Sequence, residues 1–273
     1  MIIVIGIIGV LASVLLGYKM EQGNLSVMFQ PAAFVIIGGS AIFALVISSG
    51  KNFMFILRNI GSIFKPSLAN KQNYLTLLML LYNLFTKTQK EGMLSLERHV
   101  DAPDKSDIFK KYGAVSSDPR IRLFITENLR ILLSGGTAAQ LDTLIEIDIE
   151  TQHAEALYPS TIITKTADSL PGLGIVAAVL GVALAMTKIA APPAVLGQTV
   201  AAALVGTFLG VLLCYGFIGP IASNLEQRVH EEETFLTIIR MSLVAYGEGT
   251  HPILAVEAGR RAIPTRERPT FED

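Results

Sequence analysis

The amino-acid sequence predicts an all-α membrane protein, with four transmembrane helices and a helical cytoplasmic domain. Its 273 residues are 51% hydrophobic and 16% charged, and the mean hydropathy is +0.51, which exceeds what a solvated globular surface normally permits. A transmembrane helix needs about 20 mostly apolar residues to cross a bilayer core about 30 Å thick. Four stretches approach that length: residues 2–18, 32–49, 170–187 and 199–222.

The first two spans are predicted to form a hairpin, because only the short stretch KMEQGNLSVMFQP separates them. The first span is predicted to be a retained anchor, since no basic residue precedes its apolar run and no convincing small-residue cleavage site follows it. Glycines in both spans are small enough to let helix backbones approach each other. They are Gly6, Gly9, Gly38 and Gly39.

The basic residues predict the orientation of the chain in the membrane. Of the 22 Lys and Arg residues, fourteen lie in 51–165 and six in 228–268. Basic residues near spans favour the cytoplasmic side, so both polar segments and both termini are expected in the cytoplasm. Two short loops, near 19–31 and 188–198, are then expected outside.

The polar segments are predicted to be helical. Residues 73–100 place four leucines at helical spacing in an apolar core too short to span, which indicates a buried helix. A second helix in 117–136 ends at Gly135 and Gly136, and Thr137 with Gln140 fits a capping box that begins a third helix. Another amphipathic segment, NLEQRVHEEETFLTIIRMSLVAYGEG, follows the fourth span. The four leucines are Leu77, Leu80, Leu81 and Leu84.

These patterns divide the chain into four parts. The transmembrane hairpin is expected in 1–50 and the cytoplasmic helical domain in 51–166. Spans 3 and 4 are expected in 167–222, and the cytoplasmic C-terminal helices and tail in 223–273.

Composition and motifs exclude several function classes. Acids and bases are nearly balanced, with 12 acids against 14 bases in 51–167 and nine against six in 221–273, so no nucleic-acid-binding surface is expected. The single cysteine, Cys214, lies in the fourth span, which excludes disulfides and a cysteine-based metal site. Dinucleotide, P-loop, HExxH and GxSxG patterns are lacking, and Ser169 has no base in a predictable position. Neither an enzymatic activity nor a cofactor is predicted.

The stretch DSLPGLGIVAAVLGV, residues 168–182, places unusual residues at the start of the third span. A charge at bilayer depth costs about a few kcal/mol, which makes Asp168 a functional candidate. Alternatively, Lys165 one turn earlier neutralises the carboxylate, or the headgroup region keeps it hydrated. Pro171 lacks a backbone N–H, so the helix can kink there, unless this proline begins the span at its first turn.

The fourth span carries matching features. Pro220 lies near its cytoplasmic end, and two prolines at matching depth would form a flexible collar, unless Pro220 merely ends the span. Gly206 and Gly210 have GxxxG spacing, which permits close helix contact. Thr207 either bonds back to its own helix or lines a polar path.

None of the four predicted spans has a carboxylate or a histidine near its middle. The chain alone therefore has no side chain that could carry a proton across the membrane by titration. If ions move, a partner must bring the acid.

Acidic residues recur every four positions on one predicted helix face, at Asp142, Glu146 and Glu150, with Asp148 and His153 nearby. The pattern superficially suggests metal ligation, but a solvated acidic face is the favoured interpretation, and no metal site is predicted. The remaining histidines are expected to stand alone, as surface or satisfied packing residues. They are His99, His230 and His251.

The stretches DSLPGLGIVAAVLGV and LVGTFLGVLLCYGFIGP closely resemble the third and fourth spans of the MotA family, the ion-conducting stator subunits of the bacterial flagellar motor. The likeness covers nearly the whole chain, because GNLSVMFQPAAFVIIGGS, GMLSLERHVDAP, SDIFKKY and the tail AVEAGRRAIPTRERPTF, which ends at Phe271, also match.

The resemblance implies a homopentamer of this chain around a dimer of MotB, in the bacterial inner membrane. MotB is a single-span partner whose membrane aspartate carries the ion, which would supply the missing acid. In that picture Pro171 and Pro220 are the two functional prolines, Asp168 is the acid at the cytoplasmic mouth, and Thr207 faces the ion path.

The resemblance also implies torque transfer to the rotor protein FliG through charges of the large loop. Glu97 and the adjacent Arg98 match the family's SLER, but the family's basic residue eight positions earlier falls on Gln89. Lys90 and Lys87 are the candidate substitutes. Lys90 shares a face with Glu97 if one helix continues through the intervening glycine.

Side-chain chemistry together with the resemblance predicts proton coupling. Sodium needs several oxygen ligands, and sodium-type members have a threonine where this chain has Ala178. The matching pair in the fourth span is Gly206 and Thr207, which leaves one hydroxyl. A proton needs only a titrating partner acid and a water path, so H⁺ is predicted rather than Na⁺.

Two other functions stay open at this point. An ExbB- or TolQ-like subunit would energise the outer membrane by the same ring principle, but those relatives typically have three spans and an external N-terminus. A passive membrane scaffold would need no ion gradient.

Overall fold

The computed structural model describes residues 2–64, 66–270 and 272, with only the backbone of Ser62. Over these residues the chain is helical and has no strand, which confirms the predicted fold class. Phe271, the last residue of the tail matched by sequence, lies outside them. Four helical segments in the described chain are long and apolar enough to cross a membrane: Ile2–Met20, Leu25–Gly61, Ala138–Thr187 and Pro193–Gly247.

The described residues form fourteen α-helices, joined in places by π-helical segments at Val35–Gly39 and Leu213–Ile218 and by short 3₁₀ turns. In chain order they are α1 (Ile2–Met20), α2 (Leu25–Met28), α3 (Pro31–Phe34), α4 (Ser40–Ser49), α5 (Phe53–Ser62), α6 (Lys71–Glu91), α7 (Glu97–Asp101), α8 (Asp107–Lys111), α9 (Gly113–Ser116), α10 (Pro119–Leu133), α11 (Ala138–Thr187), α12 (Pro193–Leu212), α13 (Gly219–Gly247) and α14 (Pro252–Ala262).

The chain folds as two compact units. The membrane unit comprises Met1–Pro66 and Leu157–Glu226, and the polar unit comprises Ser67–Ala156 and Gln227–Asp273. Helices α11 and α13 each contribute residues to both units. The domain limits expected from the sequence, at 50, 166 and 222, stay predictions.

A short connection separates the first two apolar helical segments of the membrane unit, and their pairing as a hairpin stays a prediction. After α1, the Asn24 side chain accepts a hydrogen bond of 3.1 Å from the Ser26 N–H and caps α2. The second span begins at Pro31, where the missing N–H has no helical partner to lose. A π-helical segment then connects α3 to α4 and inserts an extra residue into the turn.

Both prolines singled out by the sequence lie inside continuous helical structure. Pro171 is in the interior of α11, with residues 138–170 already helical before it. Pro220 is the second residue of α13 and is separated from the π-helical segment Leu213–Ile218 only by Gly219. Pro171 therefore does not begin its helix and Pro220 does not end one, while the points at which the spans enter and leave the membrane stay predictions.

The core of the polar unit is built from large apolar side chains. The four leucines of the helical pattern, all on α6, are fully buried, which confirms the predicted buried helix. Aromatic contacts join α6 to α13, with Tyr74 and Phe235 centroids 4.8 Å apart and the Phe85 and Tyr246 rings stacked at 4.3 Å. A core of this kind closes by the hydrophobic effect.

The helix ends of the polar unit follow local sequence signals. Helix α10 ends before Gly135, which takes a φ of +83° that a side chain would disfavour. The capping box is present, since the Thr137 N–H donates to Gln140 Oε1 at 3.0 Å and the Gln140 N–H donates to Thr137 Oγ1 at 3.3 Å. This box begins α11, which runs without interruption for 50 residues.

Candidate functional site

The third and fourth spans pack against each other through glycine. A methyl group built on Gly174 of α11 would lie 2.8 Å from the Gly206 carbonyl oxygen and 3.1 Å from the Gly210 Cα of α12. One built on Gly210 would lie 2.5 Å from the Leu170 carbonyl oxygen. These distances leave no room for a side chain, so the GxxxG spacing does produce close backbone contact.

The same interface brings together the residues that bear on ion choice. A methyl group on Gly206 would lie 3.1 Å from the Ala178 backbone nitrogen, and one on Gly174 would lie 3.3 Å from the Thr207 Cα. Ala178 and Thr207 are both half-buried. Ala178 thus approaches Gly206 with its backbone, while the nearest methyl group is that of Ala177, 3.0 Å from a methyl group built on Gly206. Thr207, next to Gly206 in sequence, carries the single hydroxyl of the pair.

Asp168 lies on α11 two residues before Leu170, whose carbonyl approaches Gly210, and the side chain of Asp168 is exposed. Within the described part of the chain, no ion pair joins it to Lys165, which is also exposed. The lysine therefore does not neutralise the carboxylate by direct contact. A fixed negative charge at this position is available to an approaching cation or to a neighbouring chain.

Pro171 lies where α11 meets α12. Its ring nitrogen cannot donate to the carbonyl of Ala167, which is buried, so one backbone hydrogen bond is missing from this turn. The carbonyl of Leu170, the residue immediately before Pro171, is the one that approaches Gly210. A turn lacking a backbone bond is a natural bending point, and this one coincides with the closest helix contact.

Pro220 also lies beside an irregular part of its helix, and the sequence did not predict that irregularity. The preceding π-helical segment shifts the hydrogen-bond register, so that the Gly219 N–H donates to the Cys214 carbonyl five residues earlier. Such segments mark local bends and often occur at functional sites. The only sequence signal for this one is the clustering of Gly216 and Gly219 just before the exposed Pro220.

The expected rotor residues lie at the end of α6 and in α7. Helix α6 ends at Glu91, Gly92 takes a φ of +83°, and a 3₁₀ turn precedes α7. The helix is therefore not continuous, and the argument that Lys90 and Glu97 share one helix face fails. Lys90, Glu97 and Arg98 are each exposed.

Lys87 differs from Lys90 in having a local partner. It is half-buried, and its Nζ lies 3.5 Å from Glu91 Oε2 on the next turn of α6. Lys90 thus presents the freer cation of the two candidate substitutes.

His99 supports the segment that carries Glu97 and Arg98. It is 1% exposed, its Nδ1 lies 2.6 Å from Ser106 Oγ, and the Arg98 guanidinium donates to its Nε2 at 3.2 Å. Burial lowers the pKa of His99 despite the nearby Asp107 carboxylate. His99 is thus a satisfied packing histidine, as predicted.

The acidic face of α11 is largely exposed to solvent, as predicted, and two of its carboxylates also contact an arginine. The Arg240 side chain of α13 donates from Nε to Asp142 Oδ1 at 2.7 Å, and its Nη2 lies 3.4 Å from Glu146 Oε2. Both carboxylates are therefore paired, and Glu150 alone of the three is without an ion pair in the described residues. Arg240 lies 98 residues from Asp142 in sequence, beyond the reach of pattern reasoning.

Comparison with known proteins places these features in context. The model of the "Motility protein A N-terminal" family matches residues 4–92, and the model of the "MotA/TolQ/ExbB proton channel family" matches residues 117–237. Motility protein A of Salmonella typhimurium and that of Escherichia coli are each 39% identical over 273 residues, which cover 99% of this chain and 92% of theirs. Chemotaxis protein LafT of Vibrio parahaemolyticus is 37% identical over 269 residues, covering 98% of this chain and 94% of its own.

Solved structures with the same fold include two stator complexes. The C. jejuni MotAB structure superposes with a TM-score of 0.82 at 18% identity, covering 98% of both chains. The Bacillus subtilis flagellar MotAB stator complex gives 0.78 at 22% identity, covering 97% of both.

Proposed function

This chain belongs to the MotA family and is a flagellar motor stator subunit, and we propose that it conducts protons as a ring of identical subunits around membrane helices of MotB. The observation that carries the proposal is the contact of α11 with α12, where glycines bring two spans together and no acid or histidine lies among the apolar residues. An interface of this kind has no side chain of its own that could carry a proton, so a partner must supply the titrating group. The solved relatives are complexes of MotA with MotB, which supports MotB as that partner.

The assembly we propose is a homopentamer around a MotB dimer in the bacterial inner membrane. Both termini and the polar unit lie in the cytoplasm, because the basic residues concentrate in 51–165 and 228–268. The chain itself is not an enzyme, since it couples ion flow to movement.

The transported ion is H⁺ in this proposal. Ala178 offers a methyl group where a sodium site would use a hydroxyl, and Thr207 supplies a single oxygen at the same interface. One hydroxyl is too few oxygen ligands for a dehydrated cation, whereas a proton can pass to the partner acid through water.

Movement arises at the two prolines. Protonation of the partner acid removes a negative charge beside α11, which relieves the repulsion between that acid and the Asp168 carboxylate. Pro171 lacks the backbone bond that would resist bending, and Pro220 follows a shifted hydrogen-bond register. Each protonation cycle therefore moves the helices that continue into the polar unit.

Torque passes to FliG through exposed charges of the polar unit. The exposed side chains present both signs of charge, at Lys90, Glu97 and Arg98. Lys87 instead forms an ion pair with Glu91 on the same helix. Exposed pairs of this kind form and break at little cost, which suits stepwise contact with a moving rotor.

The experiment compares two prolines of one helix. Pro171→Ala restores the missing N–H, and we expect it to abolish rotation of tethered cells at unchanged MotB co-purification. Pro159→Ala, also inside α11 but well before the glycine contact, is the control and should keep most rotation. Rotation should follow the proton gradient and not the sodium gradient.

Three outcomes contradict the proposal. Normal rotation in Pro171→Ala and in Asp168→Asn would favour a passive scaffold. Rotation that follows sodium would overturn the ion choice. Cysteine labelling that finds three spans and an external N-terminus would favour an ExbB- or TolQ-like subunit, although four apolar helical segments already speak for the stator.

A further inference from the structure

Three metal-ligating side chains of the polar unit converge between two helices. His153 comes from α11, and His230 and Glu233 come from α13, one turn apart. The expectation that His230 stands alone is therefore wrong. We propose that these three residues bind a divalent transition-metal ion, with Zn²⁺ the best fit.

The distances fit a tetrahedral ion. Two ligands held about 2.0–2.1 Å from a tetrahedral zinc ion lie about 3.3–3.4 Å apart. Glu233 Oε2 is 3.1 Å from His153 Nδ1 and 3.6 Å from His230 Nδ1, and one ligand atom from each residue lies within 4.8 Å of the others. One carboxylate oxygen thus faces both imidazoles at ligand spacing.

His153 supplies a second observation that points to a ligand. Its Nδ1 is buried and, within the described residues, makes no hydrogen bond, although Glu233 is near enough to form one. A buried ring nitrogen without a hydrogen bond is costly unless something else binds it. An ion placed among the three side chains would provide that bond.

The neighbouring acids explain why Glu233 is the ligand. Glu231 accepts a hydrogen bond of 2.5 Å from the Ser67 hydroxyl, and Glu232 forms an ion pair with Arg120. Glu233, the third glutamate in the run, is directed to the histidines instead. Each of the three consecutive acids therefore has a different structural task.

Two imidazoles and a carboxylate form an open coordination set. The donor types suit Zn²⁺, Ni²⁺ or Cu²⁺ better than Mg²⁺ or Ca²⁺, which prefer oxygen alone. The His153 and His230 rings lie 5.3 Å apart at 41°, so a water molecule can occupy the remaining position on the exposed His230 side. A bound ion would cross-link α11 to α13 independently of the ion path through the membrane.

Metal binding to the full-length chain, co-purified with MotB in detergent through a tag without histidine, tests the site. After chelator treatment and desalting, we expect one Zn²⁺ per chain by calorimetric titration, and a Co²⁺ visible spectrum of low-symmetry coordination. His153→Gln, His230→Gln and Glu233→Gln should each weaken binding at least about 10-fold, the lower end of what even outer-shell partners contribute. His251→Gln, an exposed histidine outside the cluster, should bind like the wild type.

The proposal is overturned if Zn²⁺ does not saturate at one site, or if His230→Gln binds with wild-type affinity. His230 is 52% exposed, so its replacement leaves the fold intact and keeps the test decisive should His153→Gln fail to fold. Zn²⁺ should also raise the unfolding temperature of the wild type and leave that of His230→Gln unchanged. Normal rotation in Pro171→Ala and in Asp168→Asn, together with one Zn²⁺ bound per chain, would contradict the stator mechanism and leave this metal site standing.

Discussion

The membrane unit and the polar unit pack their helices in opposite ways. In the membrane unit the closest contact is between backbones, at Gly174 and Gly210, while large side chains such as Ile175 and Val179 point outward and are exposed. In the polar unit the large side chains point inward, and the leucines of α6 are fully buried.

The difference reflects the surroundings that each unit needs. In water, burying apolar side chains drives folding, so the polar unit gathers them into one core. In lipid that driving force is absent between helices, and contact instead relies on small residues and van der Waals packing. The outward apolar side chains of the membrane unit therefore need lipid or the helices of neighbouring chains, whereas the polar unit closes its own core.

Removing core volume should break the polar unit most severely. Leu81→Ala deletes a fully buried side chain of α6 and should lower the free energy of unfolding by about 2–5 kcal/mol. Leu94→Ala, at a leucine that is 75% exposed, should change it by less than about 0.5 kcal/mol. Denaturant unfolding followed by circular dichroism measures both, and equal losses would contradict a core centred on α6.

Adding volume should break the membrane unit instead. Gly174→Ala forces a methyl group against the Gly206 carbonyl, which we expect to cost about 1–3 kcal/mol and to reduce rotation of tethered cells. Gly172→Ala is the matched control, because a methyl group there meets nothing within 4 Å. Wild-type thermal stability and rotation in Gly174→Ala would show that the two spans do not need backbone contact.

A smaller effect should distinguish the two units, because the stability of the polar unit should depend on acidic pH through one ion-paired glutamate. Two arginines hold the pKa of Glu257 at about 2, with Arg260 donating to its carboxylate at 2.6 and 2.8 Å and Arg261 at 3.1 Å. Because the folded-state pKa is lowered, this stability is present above the ordinary value of 4.5 and is lost as pH falls from there towards 2.

Glu257→Gln tests that pair. We expect it to lower stability by about 1 kcal/mol at pH 7, since the pair is partly solvated, and to leave stability near pH 2 almost unchanged. The loss should appear in the unfolding of the polar unit alone. If the free energies of unfolding of Glu257→Gln and of the wild type differ by the same amount at pH 7 and near pH 2, the ion pair is not the cause of the difference.

Features that depend on neighbours in the chain could be predicted. The buried leucines of α6, the capping box at Thr137 and the end of α10 before Gly135 all follow from residues within a few positions of one another. The GxxxG contact of Gly206 and Gly210 was also predicted, although its partner Gly174 was not.

Features that depend on distant residues could not be predicted. Arg240 pairs with Asp142 across 98 residues, and His153 meets His230 only because α11 and α13 lie side by side in the polar unit. The break after Glu91 was the exception among local features, since Gly92 indicated it while the spacing of Lys90 and Glu97 argued for continuity.

By itself, the sequence determined the four apolar spans, the helical polar segments and the absence of a titrating group in the middle of the membrane. Those properties depend on composition and on local periodicity, which are the same however the helices pack against one another. Only the tertiary structure decided that Pro171 lies inside one 50-residue helix, that Gly174 faces Gly206, and that two histidines and a glutamate converge. Contacts between helices depend on rotation and register, and a change of one residue in either turns a side chain by about 100°.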